Sequence, residues 1–185
     1  MNKKWIIIGS VSLAVLAGGA YAFYKGYPQN LYSSILKKAW DLKSEEEIKT
    51  LHPKIRPVAR AFLKEAEKEG IYLRVTSGLR TFEEQDELYA KGRTAPGNIV
   101  TNAKAGESKH NYGLAFDVVE IKDGKALWNN PNWSKIGELG KKRGFTWGGD
   151  FKSIKDKPHF EKTFGLSNSE LLAKYNKTNN KYITV

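Results

Sequence analysis

The run "WIIIGSVSLAVLAGGAYAFY", residues 5–24, carries no charge and lies between Lys3–Lys4 and Lys25. About 20 apolar residues is what a helix needs to cross the hydrocarbon core of a bilayer. Lysines ahead of such a run favour an N-terminus left in the cytoplasm and a remainder sent across. Trp5 and Tyr24 place an aromatic ring at each end, where the two membrane interfaces fall. A cleaved signal peptide is the competing reading, because "AYA" at Ala20–Ala22 is a passable small-residue cleavage site. The run continues past that site, so a retained anchor is favoured, weakened by its many Gly and Ala residues. On either reading the part that folds in water lies outside the cytoplasmic membrane, attached to it or, after cleavage, secreted.

That exported part has the composition of a folded domain: over the whole chain 40% of residues are hydrophobic and 28% charged. There are no cysteines, which excludes a disulfide framework, a thiolate zinc site and a cysteine nucleophile. The formal charge of +11 suits an anionic partner such as nucleic acid, anionic lipid or an acidic wall polymer. No zinc-finger or helix-turn-helix spacing is present and the lysines are spread along the chain, so nucleic acid is not expected. Solvated surface lysine accounts for the charge equally well.

The layout divides into an anchor or signal segment (1–26), a connector (27–52), a folded domain (53–176) and a loose polar tail (177–185). A helix is expected from Pro53 to Glu69, with Val58, Phe62 and Ala66 as its apolar stripe and Gly70 as its stop. "IYLRVTSG" alternates, so Ile71–Thr76 reads as a strand. Thr81 and Glu84 form a capping box for a helix to about Ala90. Residues 93–106 read as a long loop, a common carrier of function. Leu114–Ile121 is an apolar strand, "KDGK" a turn, Asn132–Arg143 a helix, "FTW" and "HFEK" short strands, and Ser167 the cap of a last helix. The order predicts an α+β fold: a small, mainly antiparallel sheet with flanking helices.

Asp117 is out of place in its apolar strand, where a carboxylate costs several kcal/mol unless a cation compensates it (roughly,). The chain has only three histidines; His110 lies seven residues before Asp117, and His159 lies three after Asp156. Two imidazoles and one carboxylate are a donor set that a catalytic zinc takes, with the fourth position left for water. Gly113 lets the chain turn so that the strand carries Asp117 back past His110, with small Ala115 on the same face. Pro158 forbids a helix between Asp156 and His159, so Asp156 hangs from a loop beside the site, placed to act as general base. The competing readings are hydrogen-bonded core histidines and an Asp117 paired with lysine or arginine. Arg80 follows a strand and precedes a helix, where a guanidinium can meet a carboxylate or oxyanion; a plain surface arginine is the alternative. His52 has no assigned role.

Taken together, "SGLRT" (77–81), "SKHNYGLAFDVV" (108–119) and "WGGDFKSIKDKPHFE" (147–161) resemble the zinc peptidases of bacterial cell walls. That family contains D-alanyl-D-alanine carboxypeptidases and dipeptidases, and L-alanyl-D-glutamate endopeptidases of bacteria and phages. The last block is most similar to the endopeptidase branch. The resemblance implies one zinc ion per chain on His110, Asp117 and His159, with Asp156 as the catalytic base. It implies that Arg80 stabilises the tetrahedral intermediate or holds substrate, that Ser108 helps to bind it, and that Tyr112 and Trp147 line the cleft. The implied partner is a peptidoglycan stem peptide, with the membrane as a second contact through the N-terminal segment, and the chain is expected to be a monomer. The departure from the family is that segment, which stands where many relatives carry a wall-binding module.

Overall fold

The structure, a computed structural model, describes residues 29–178 and 182–185. The apolar run at residues 5–24 lies outside the described residues; among these, no helix is long and apolar enough to cross a membrane.

The described residues begin with a helix, α1 (Gln29–Thr50), in the segment expected to be a connector with some helical pattern. It buries Leu36, Ser44 and Ile48, so the segment is part of the domain, not a link to it. A tight turn through buried Leu51 and Ile55 leads to α2 (Arg56–Lys68), which buries Ala59, Phe62, Leu63 and Ala66. The end of α2 is a Schellman cap: Gly70 N–H donates to Glu67 O and Ile71 N–H to Ala66 O. The cap consumes Ile71, so strand β1 starts later than its alternation suggested, at Leu73–Ser77. Helix α3 (Phe82–Ala90) opens on the capping box of Thr81 and Glu84, as expected.

After the long loop, a single 3-10 turn (Lys109–Tyr112) feeds β2 (Ala115–Lys122). Gly113 joins them at φ +65°, and a Cβ there would lie 2.7 Å from the His52 nitrogen. Only glycine fits that left-handed, crowded position. Asp123 and Gly124, both at positive φ, turn β2 into a short β3 (Lys125–Leu127) that the sequence pattern did not suggest. Then follow α4 (Trp133–Lys142), β4 (Thr146–Trp147), β5 (His159–Glu161) and α5 (Asn168–Thr178).

The sheet runs in the order β1-β2-β5-β4, with β3 also paired to β2, and every pairing is antiparallel. The α+β expectation therefore holds. One face of β2, through Phe116 and Val118, enters the core with Phe62, Phe145 and Phe160; the Phe62 and Phe160 centroids are 4.8 Å apart. Alternation sends Ala115, Asp117 and Val119 to the other face.

Residues 182–185, at the end of the chain expected to be a loose tail, return to the domain. Ile183 is buried in the core, and its carbonyl meets His52 Nε2 at 3.0 Å. Lys54 N–H donates to His52 Nδ1, which leaves the proton on Nε2 to donate to Ile183. Arg56 donates to the Tyr182 hydroxyl, which in turn bonds Thr50 O. His52 is thus a structural anchor for the C-terminus.

Candidate metal centre

Strand register assembles most of the site. Asp117 of β2 pairs directly with His159 of β5 and, on its other side, with Ser77 of β1. Directly opposed residues in an antiparallel pair point to the same face, so an eight-residue strand and a three-residue strand suffice to bring a carboxylate against an imidazole. His110 comes from the 3-10 turn that precedes β2. One ligand atom from each of His110, Asp117 and His159 lies within 4.8 Å of the others.

The tautomers are set from behind. His110 Nδ1 lies 2.7 Å from Gly78 O, a carbonyl that only accepts, so Nδ1 carries the proton and the Nε2 lone pair is free. His159 Nε2 lies 3.0 Å from Glu161 Oε2, which leaves its Nδ1 lone pair free. Those two nitrogens face each other at 3.2 Å. Both face Asp117 Oδ1, at 3.4 Å from His110 and 3.3 Å from His159. These contacts are misaligned for hydrogen bonding, and Asp117 Oδ1 is buried without a hydrogen-bond partner. Three lone-pair donors converging on one point, one of them a buried and unbonded anion, fit a divalent cation.

The electrostatics agree. Burial alone would raise the Asp117 carboxyl, but the neighbouring imidazoles of His110 and His159 hold it well below the usual carboxylate range. Burial disfavours a charged His159, yet the adjacent Asp117 carboxylate and the bond to Glu161 push it up to about 9. Glu161 is likewise held low against burial by its bond to His159.

Arg80 stands at the rim. Its NH2 group lies 4.0 Å from Asp117 Oδ2, and its NH1 group donates to Gln85 Oε1 at 2.8 Å. Gln85, fully buried, passes the connection on to Ala103 O in the long loop. Asn111 ties the same parts together, donating to Arg80 O and Thr81 O and accepting from Gly106 N–H. Asp156 is exposed in the loop ahead of β5; its carbonyl accepts from His159 N–H at 3.1 Å, so the two residues leave one turn. Ser108, half-buried, precedes the 3-10 turn, two residues before His110, without a side-chain capping bond.

Two expectations are corrected. Tyr112 is fully buried, with its hydroxyl donating to Gly106 O at 2.7 Å, so it supports the loop from inside instead of lining a cleft. Trp147 belongs to the core, and its indole N–H is bound by Lys157 O at 2.8 Å. Glu161 and Gln85 were missed. Glu161 had a readable signal, since it lies two residues after His159 on one strand face; Gln85 had none beyond its place on the helix after Arg80.

An antiparallel sheet and the 3-10 turn ahead of it bring two imidazoles and a carboxylate to one point, with a guanidinium at the rim, which is the donor set of a mononuclear metal centre. A family profile described as D-alanyl-D-alanine carboxypeptidase matches residues 101–162. The peptidoglycan L-alanyl-D-glutamate endopeptidase CwlK of Bacillus subtilis (strain 168) is 48% identical over 121 residues, which covers 60% of this chain and 72% of that protein. The L-Ala D-Glu endopeptidase ChiX of Serratia marcescens superposes with a TM-score of 0.51 at 28% identity, over 66% of this chain and 87% of that one. A vancomycin-resistance D,D-pentapeptidase, VanY, solved with Zn(II), overlaps more loosely, at a TM-score of 0.48 and 25% identity over 66% and 83%. The chain belongs to the zinc family of bacterial cell-wall peptidases that unites D-alanyl-D-alanine carboxypeptidases with L-alanyl-D-glutamate endopeptidases. It is a zinc metallopeptidase acting as a peptidoglycan hydrolase.

Proposed function

We propose that this chain cleaves the L-alanyl-D-glutamate bond of the wall stem peptide, with zinc held by His110 Nε2, Asp117 and His159 Nδ1. The observation that carries the metal assignment is the buried, unbonded Asp117 Oδ1 facing two free imidazole lone pairs. The bond assignment is supported by the 48% identity to CwlK.

When bound, zinc supplies a Lewis acid that lowers the pKa of a water to about 7 and polarises the amide carbonyl. The remaining work falls to the chain itself. Asp156 takes the proton of the attacking water and returns it to the leaving amine. Arg80, fixed by Gln85, presents its guanidinium to the developing oxyanion. Ser108 borders the cleft and contacts the peptide. Glu161 and Gly78 keep the two imidazoles in the tautomers that leave their inner nitrogens free. The catalytic domain lies outside the cytoplasmic membrane, with the uncharged run at residues 5–24 as its anchor or signal; the flanking lysines support that orientation.

D-alanyl-D-alanine carboxypeptidase activity is the second reading, favoured by the description of the matching family profile. Digestion of purified peptidoglycan by the full chain, followed by mass spectrometry of the new ends, separates the two. New D-glutamyl amino termini that vanish with a chelator and return with zinc are expected. Release of terminal D-alanine alone would move the enzyme to the carboxypeptidase branch, and intact peptidoglycan would contradict both.

A further inference from the structure

β1 is an edge strand, paired only with β2, and its outer side would expose unpaired N–H groups. Helix α1 covers them with side chains instead. Ser44 Oγ accepts from Val75 N–H at 3.0 Å, Glu47 Oε2 from Gly78 N–H at 2.9 Å, and Thr50 Oγ1 from Leu79 N–H at 2.8 Å. Positions 44, 47 and 50 are three apart, so one stripe of the helix reads one edge of the strand. The Thr50 hydroxyl is used twice, since it also donates to Glu47 O at 2.7 Å. The approach is close: a Cβ on Gly78 would stand 2.4 Å from Thr50 Oγ1 and 2.6 Å from Glu47 O.

The peptide unit clamped in this way is the one that orients His110. Gly78 O, which accepts the Nδ1 proton of His110 at 2.7 Å, shares its peptide unit with Leu79 N–H, held by Thr50, while the peptide unit before it is held through Gly78 N–H by Glu47. Two residues on, Arg80 N–H donates to His110 O at 3.0 Å, so the same segment holds both the ring and the main chain of this residue. The direction of Gly78 O fixes where the His110 Nε2 lone pair points. That direction is fixed in turn by what grips the peptide from the other side.

We infer that Glu47 and Thr50 are positioning residues for the metal centre, acting on His110 through the two peptide units that flank Gly78, Thr50 on the one that carries Gly78 O and Glu47 on the one before it. Helix α1 is therefore the outer support of the zinc site. Ser44 makes the same kind of bond on the same stripe but to Val75, which has no hydrogen bond to a ligand residue. It serves as the internal control.

The inference rests on the proposed zinc site, and the experiment separates the two. Zinc affinity of the full chain is measured by chelator competition, and the visible spectrum of the cobalt(II)-substituted protein reports ligand geometry. The wild type and His110→Ala test the site itself. Zinc binding unaffected by His110→Ala would remove the site reading and this inference with it. Given a normal His110 effect, Thr50→Val and Glu47→Ala are expected to weaken zinc about tenfold, the lower end for outer partners of a metal ligand, and to shift the cobalt bands. Thr50→Ser and Glu47→Gln, which keep an acceptor, should restore both. Ser44→Ala should lose comparable thermal stability yet leave zinc affinity and the cobalt spectrum at wild-type values. Equal zinc affinity in Thr50→Val, Glu47→Ala and Ser44→Ala would overturn the inference while leaving the zinc site standing.

Discussion

Asp117 shows how one residue can be costly to the fold and necessary to the site. It sits in the central strand, between Ser77 and His159 in register, with one oxygen buried and unbonded. An isolated buried carboxylate would cost several kcal/mol (roughly,), and the two imidazoles leave its inner oxygen without a hydrogen bond. A cation at the convergence point satisfies all three at once. Replacing Asp117 by Asn keeps the volume and removes the charge. Losing an outer partner of a ligand typically costs 10–100-fold in metal affinity, so Asp117→Asn, a lost ligand, is expected to cost more than about 100-fold. Chelator competition on the full chain measures this; affinity within a few-fold of wild type would remove Asp117 from the metal site.

At the scale of elements, the two segments taken as peripheral prove integral. Ile183 fills the core from the tail, and truncating a buried Ile to Ala typically costs about 2–5 kcal/mol. Ile183→Ala should therefore lower the urea midpoint clearly, whereas a loose tail would leave it unchanged. Helix α1 is tied to β1 by more than its edge bonds: Asp41 accepts from Tyr72 and Arg74, and Arg74 stacks on the Tyr72 ring at 3.5 Å. Burial raises the Asp41 carboxyl, but the Tyr72 and Arg74 bonds outweigh it and hold it below the usual range. A depressed carboxylate stabilises the fold fully above its unfolded value, near 4 (about,), and the contribution is lost as pH falls through the folded value. Asp41→Asn should thus lose less melting temperature than wild type between about pH 6 and pH 2.5; an identical loss would show that Asp41 contributes nothing.

What was legible follows from how local the signals are. The capping box at Thr81, the stop at Gly70, the turn at Asp123–Gly124 and the lone Asp in an apolar strand are each decided within a few residues. The metal triad was legible because only three histidines are present and two stand at suggestive distances from aspartates. The docking of α1 was not, because part of its contact surface is polar: Ser44, Glu47 and Thr50 read as a solvated face until the edge of β1 lies against them. The anchoring of the tail to His52 spans 131 residues of sequence and has no local signature. Tyr112 and Trp147 were misplaced for the opposite reason. Each lies close to a site residue in sequence, but the turn or strand that carries it points its ring into the core.

For the molecule as a whole, the functional face and the packed face are the two sides of one sheet. Phe116, Val118 and Phe160 hold β2 and β5 rigid from the core side, while the alternating residues Asp117 and His159 meet on the other. A site built on paired strands is held more precisely than one built on loops; Asp117 and His159 are held that way, while His110 on its 3-10 turn, Arg80, Asp156 and the long loop that receives Gln85 lie outside that frame. The net charge of +11 over the whole chain suits an anionic wall or membrane surface without specifying a bond to be cut.

The central claim is that zinc sits where His110 Nε2, Asp117 and His159 Nδ1 converge. Anomalous diffraction at the zinc edge, from crystals of the zinc-loaded protein, tests it most directly. A single strong peak about 2.0–2.2 Å from those three atoms, with His159 bound through Nδ1 and its Nε2 still on Glu161, is the predicted result. A peak elsewhere, or one that excludes Asp117, would contradict the account.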